Sequence, residues 1–109
     1  MEKQSNIGMN KYKNCVELIR AFVAGETSGF SGSSPVLSNT KIINNQVLHY
    51  STPILERCSD FFVLNMTKYS RQTDRLQDAI KAIIPEEKIR IVAGIEIDYK
   101  GSIVSFLNK

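Results

Sequence analysis

The sequence predicts an α+β domain in which two helices pack on one face of an antiparallel sheet. The sheet is read as a four-stranded meander plus a C-terminal hairpin, giving the order α-β-β-β-β-α-β-β. Three observations lead there. Apolar residues recur at steps of three and four in two separate segments. Alternating runs, broken by pairs of turn-forming residues, lie between and after those segments. A chain of 109 residues with 42% hydrophobic and 23% charged residues suits one core and leaves no room for a second module.

Residues 1–10 are polar and read as a flexible N-terminus ahead of a single domain over 11–109. Across 11–24, Tyr12, Cys15, Leu18, Ile19, Phe22 and Val23 share one stripe, with Lys13, Glu17 and Arg20 opposite. That is an amphipathic helix, with Asn10 as its expected N-cap and Gly25 just past its end. Residues 25–38 hold Gly25, Gly29, Gly32, five serines and Pro35, and read as a Ser/Gly-rich loop anchored by Phe30, Val36 and Leu37. These glycines neither lead into a helix nor end in the Gly-Lys-Ser/Thr of a phosphate loop, so the loop is expected to meet a partner rather than cradle a nucleotide.

Segments 41–43 and 46–50 flank Asn44-Asn45, and segments 54–58 and 61–66 flank Ser59-Asp60; each pair reads as a hairpin. Thr52-Pro53 between them is expected at an edge or bend, because proline cannot donate to a ladder. Ser70 or Thr73 caps a second helix running to Ile84, with Leu76, Ala79, Ile80 and Ile83 buried and Pro85 as its stop. Ile89, Ile91, Ala93, Ile95 and Ile97 then alternate with Arg90, Val92, Gly94, Glu96 and Asp98. This predicts a half-buried strand, bulged at Gly94, that turns at Lys100-Gly101 into a last strand over 103–107.

Fourteen Lys and Arg against eleven Asp and Glu give a formal charge of +3, with the two signs interspersed. Such a balance permits a nucleic-acid partner without requiring one. No apolar run suits an export signal or a bilayer span, so the chain reads as cytoplasmic with no membrane partner. Cys15 and Cys58 lack metal-ligand spacing and read as reduced, buried thiols. His49 with Cys58 across strands would make a thiol and base pair, although nothing in the spacing demands it. Glu96 and Asp98, two apart on a strand, share a face as a cation site would need, but the ordinary reading is a solvated face with Arg90 as charge partner. Lys68, Arg71 and Arg75, beside Tyr69, form a basic patch at the start of the second helix. Arg71 with Asp74 and Arg75 with Asp78 lie at the spacing of self-paired helix surface, yet cations at a helix start oppose its dipole and hint at another role. No metal and no cofactor are expected.

Several residues carry a resemblance. They are Phe22-x-x-Gly25, Ser31-Gly32-Ser33, Leu48-x-Tyr50-x-Thr52-x-Ile54, Glu56-Arg57, and above all Asn65-x-Thr67-Lys68-Tyr69-Ser70-x-x-Thr73-x-x-x-Gln77. Together they resemble a family of short, largely uncharacterised proteins carried by bacteriophages and mobile elements of Firmicutes-like hosts. The family usually has a Thr-Thr pair and a His where this chain has Gln72-Thr73 and Leu76, and the resemblance leaves out the closing hairpin. It implies a setting in which small proteins bind and disable host machinery, CRISPR-Cas nucleases included, or assist DNA handling. The expectation is therefore a non-catalytic inhibitor of a host nucleic-acid-targeting defence complex, of anti-CRISPR type. It would meet a host protein or ribonucleoprotein effector through Lys68, Tyr69, Arg71, Arg75, Phe30, Lys41 and Arg57. The alternative is a nucleic-acid-binding accessory protein in which Lys68, Arg71, Arg75, Lys41 and Arg57 track phosphates. An exposed edge strand would also allow two copies to pair.

Overall fold

The computed structural model describes residues 10–32 and 39–108. The expected flexible N-terminus up to residue 9 and the loop residues 33–38, with Val36 and Leu37 among them, lie outside the described residues. The chain is α+β, as its patterning predicts, but the sheet is seven-stranded and mixed. Its strands are β1 (Lys11–Tyr12), β2 (Ser28–Ser31), β3 (Thr40–Ile43), β4 (Gln46–His49), β5 (Thr52–Arg57), β6 (Phe62–Asn65) and β7 (Ile89–Val92). Their order in space is their order in the chain. Strands β2 to β6 form an antiparallel meander, and at each edge a strand is added in parallel, β1 beside β2 and β7 beside β6. Parallel neighbours need a crossover. Helices α1 (Cys15–Val23) and α2 (Arg71–Ile83) supply the two crossovers and touch each other over the same face of the sheet.

Helix α1 begins later than expected. Asn14, not Asn10, is the N-cap, and its side chain accepts from the amide of Glu17 at 3.0 Å. Asn10 instead precedes β1, where its carbonyl accepts from the amide of Phe30 at 2.9 Å. The Ser/Gly segment is likewise shorter as a loop than its composition suggests, because residues 28–31 pair on both sides as β2. Weak intrinsic strand preference is overridden by tertiary pairing here. Gly29 is needed at this place, since a Cβ would stand 2.5 Å from the Tyr12 ring and 3.2 Å from the Asn10 carbonyl. That lets β1 close onto β2.

The hairpin at Asn44-Asn45 forms as predicted, with Asn44 at φ 57°. Between β4 and β5 the register slips at Val47 and Leu48, which leaves Ile54 as an extra residue. Consequently Ile54 and Leu55, although adjacent, both enter the main core, and Pro53 is accommodated beside the bulge opposite Leu48. The core under the helices joins Leu18, Ile19 and Phe22 of α1 and Leu76 and Ile80 of α2 to Ile42, Val47, Leu55 and Leu64 of the sheet. Ser70 caps α2 by accepting from the amide of Thr73 at 3.2 Å, and Pro85 follows its last turn.

The expected C-terminal hairpin is absent among the described residues. The alternation of 89–97 is realised only as far as Val92, where β7 ends. Gly94, at φ 75°, turns the chain out of the sheet. The amide of Ile95 then goes to the hydroxyl of Thr67 and that of Asp98 to the hydroxyl of Thr52. Side chains from the start of β5 and from the segment after β6 thus capture backbone that the alternation assigned to a ladder, and Ile97 is left 68% exposed. The C-terminal segment, ending in a 3₁₀ stretch over Val104–Asn108, covers the opposite face of the sheet. There Ile95, Ile103, Phe106 and Leu107 pack with Val63 and Val92 in a second, smaller core.

Candidate functional site

The motif 65–77 is built mainly as a fastening. Asn65 is fully buried; its amide nitrogen donates to the carbonyl of Pro53 at 3.0 Å and to the Tyr69 hydroxyl at 3.1 Å. Its side-chain oxygen accepts from the amide of Thr67 at 3.0 Å. The Tyr69 hydroxyl in turn donates to the carbonyl of Ile95, and its ring packs against the main core. The fully buried Gln77 donates to the carbonyls of Asn65 at 2.7 Å and Thr67 at 3.0 Å. These side chains satisfy the backbone where β6 gives way to α2 and bind it to the segment after β7.

Of the residues expected to meet a partner, Arg57 is engaged within the fold. Its guanidinium donates to the carbonyls of Phe22, Glu26 and Asn44 and lies 4.5 Å from the centroid of the Phe22 ring. It closes the C-terminal end of α1 onto the sheet. Phe30 is 6% exposed. Lys41 alternates with the core residue Ile42, so it lies on the face away from the helices. Lys68 pairs with Asp74 at 3.5 Å. Arg71 and Arg75 are exposed, and among the described residues neither makes the ion pair that its spacing suggested.

The other candidates separate as well. Cys58 packs in the second core, where burial and then the neighbouring Glu56 push its thiol upward, while His49 faces the helices. They do not form a pair. Glu96 and Asp98 fall after the end of β7 rather than on a strand face, Arg90 stacks 5.1 Å from the Phe61 ring, and no metal-binding cluster occurs among the described residues. No described helix is long and apolar enough to cross a membrane.

What the structure does bring together is a cleft of about 660 Å³ between the start of α1, the ends of β2 to β4 and the middle of α2. Cys15, Ser31, Thr40, His49, Gln72 and Arg75 line it. The Cys15 sulfur lies 3.6 Å from the Ser31 hydroxyl and 3.5 Å from that of Thr40. Thr40 is the cross-strand partner of His49, which is only 6% exposed and whose Nδ1 meets the Thr73 hydroxyl at 2.9 Å. Burial holds the imidazole below its ordinary pKa, so it is neutral at pH 7. Of these residues only Arg75 and His49 stand out in the sequence as candidates. Cys15 is missed because its neighbours come from the β2–β3–β4 register, which no local pattern records. Comparison of the chain with protein-family models, with curated proteins and with solved structures gave no match.

Proposed function

We propose that the chain is a non-catalytic binding protein of a phage or mobile element. In this reading it inhibits a host nucleic-acid-targeting defence complex by protein contact, in the manner of an anti-CRISPR, in the cytoplasm of its bacterial host. The observation that carries the reading is the exposed start of α2, where Arg71 and Arg75 point to solvent with no acidic partner among the described residues. Two uncompensated cations in the first two turns oppose the helix dipole, a small cost that contact with an acidic partner surface would offset. The resemblance of the 65–77 motif to phage proteins supplies the setting.

An accessory role on nucleic acid has less support. The five cations it needs do not share a surface, since Arg57 is spent on carbonyls and Lys41 lies across the sheet. The deciding experiment is capture by the tagged protein from a lysate of its host, with and without nuclease, alongside the Arg71→Glu, Arg75→Glu double variant. A stoichiometric protein that survives nuclease and is lost with the double variant supports inhibition by contact. Retention of nucleic acid alone, abolished by nuclease or by moderate salt, overturns it.

A further inference from the structure

The cations of α2 leave the segment Leu48-x-Tyr50-x-Thr52-x-Ile54 without a role. Tyr50 follows β4 with φ at 58°, a left-handed backbone that a bulky aromatic residue rarely adopts. It is held there by three contacts. Its amide donates to the carbonyl of Asn39 at 2.6 Å, its hydroxyl donates to the side-chain oxygen of Gln72 on α2 at 3.0 Å, and its ring stands edge-on to that of His49 with centroids 4.7 Å apart. Asp98 repeats the pattern at φ 63°, with its amide donating to the Thr52 hydroxyl at 2.7 Å. At these two left-handed positions sit the two most exposed large apolar side chains among the described residues, Tyr50 itself and Ile97. Backbone strain kept where it displays apolar surface points to contact rather than to packing.

Tyr50 and Ile97 line a hollow of about 140 Å³ together with the fully buried Ile54, Tyr69 and Ser70. A space of that size holds one aliphatic or single-ring side chain. The charges beside it differ in sign from one side to the other. Arg71 follows Ser70 on the α2 side, while Glu96 and Asp98 flank Ile97; all three are exposed, and none makes an ion pair among the described residues. An apolar centre inside a charged rim is the anatomy of a protein contact, and tyrosine and arginine are the residue types that most often carry its energy.

We propose that Tyr50, Ile97 and the hollow they line are the apolar centre of the contact surface, and that they receive one leucine- or phenylalanine-sized side chain of a partner protein. That side chain lies in a segment with an acidic residue toward Arg71 and a basic residue toward Glu96 and Asp98, as charge complementarity requires. The inference rests on the contact reading, to which Arg71 belongs.

The test is fluorescence polarisation of the intact protein with short labelled peptides whose central residue is Ala, Leu, Phe or Trp and whose flanks are mixed in charge, both acidic or both basic. Tightest binding is expected for Leu or Phe between mixed flanks, with central Ala about tenfold weaker, as for loss of a buried apolar side chain. Ile97→Asp and Tyr50→Gly should each abolish binding with the melting midpoint held within ~2 °C, the second because glycine relaxes the left-handed backbone. Glu96→Lys with Asp98→Asn should move the preference to the doubly acidic peptide. Binding indifferent to central size or to flanking charge overturns the assignment, as does the absence of saturation at millimolar peptide. So does a dimer in analytical ultracentrifugation that Ile97→Asp dissolves, since the occupant is then a second copy. In the lysate capture, a partner lost with Arg71→Glu, Arg75→Glu but kept by Ile97→Asp and Tyr50→Gly upholds the contact reading and overturns this one. Peptide binding as expected with no partner captured by the parent protein supports this assignment and sinks the contact reading in that host.

Discussion

Replacing Asn65 by Ala asks whether the most distinctive motif of the chain is architecture or contact surface. The side chain is fully buried and makes three hydrogen bonds, to the Pro53 carbonyl, the Tyr69 hydroxyl and the Thr67 amide. Truncation leaves the Pro53 carbonyl and the Thr67 amide without those partners, while the Tyr69 hydroxyl keeps the carbonyl of Ile95. An orphaned buried group costs about 1–3 kcal/mol, so two of them cost roughly 3 kcal/mol with partial relaxation. That is a large share of the ~5–15 kcal/mol typical of a whole domain. At this chain length about 1 kcal/mol moves the midpoint by ~4 °C, which predicts a fall of about 12 °C. Thermal unfolding followed by circular dichroism measures it, with Arg71→Ala as a surface control expected to shift by under ~2 °C. Tyr69→Phe should show a smaller loss, and the double variant less than the sum, because the two side chains share one network. If Asn65→Ala melts with its parent yet loses partner capture, the fastening argument is wrong and the motif belongs to an interface.

Three further outcomes follow from the same geometry. Glu56, 5% exposed, accepts from Gln46 at 2.9 Å, from the Ser102 hydroxyl at 2.7 Å and from the Ile103 amide at 2.8 Å. Glu56→Ala should release the C-terminal segment locally, with amide exchange at Ile103 accelerated by about one to two orders of magnitude, as expected for a hydrogen bond of ~1.5–3 kcal/mol to a charged acceptor. Arg57→Ala removes the donors to the end of α1 and the stack on Phe22, and should lower the midpoint by about 8 °C, corresponding to ~2 kcal/mol, while Arg57→Lys recovers only part of it. His49 is held below its ordinary pKa by burial, so the unfolded chain binds a proton that the folded chain refuses. Its contribution is therefore fully present above the unfolded value near 6.5 and declines as pH falls through that value toward the folded one. Denaturant midpoints between pH 7.5 and 5 should drop less in His49→Gln than in the parent.

Local chemistry made much of the fold legible. The α1 and α2 stripes, the Asn44-Asn45 hairpin and the Ser70 cap each follow from residues within a few positions of one another. What was not legible depends on partners distant in the chain. Residues 28–31 look like loop until β1 and β3 flank them, and residues 93–98 look like strand until Thr67 and Thr52 take their amides. The same division runs through the site. The cations of α2 announce themselves by spacing, whereas Arg57 reads as surface until three carbonyls converge on it, and Cys15 meets Thr40 and Ser31 only through sheet register.

A sheet whose spatial order repeats its chain order has a consequence for how the chain is assembled. Each strand pairs with the one just before it in the chain, so each loop closed is short compared with the whole chain and little entropy is lost at any single step. The contact of α1 with α2 is the exception, because it brings Leu18 and Leu76 into one core across the whole meander. Strand pairing can therefore spread as a local zipper from either hairpin, and the meeting of the helices is the late, long-range event that makes the transition cooperative. Substitutions in the turns should accordingly alter folding rates, while those at the helix contact should chiefly alter unfolding.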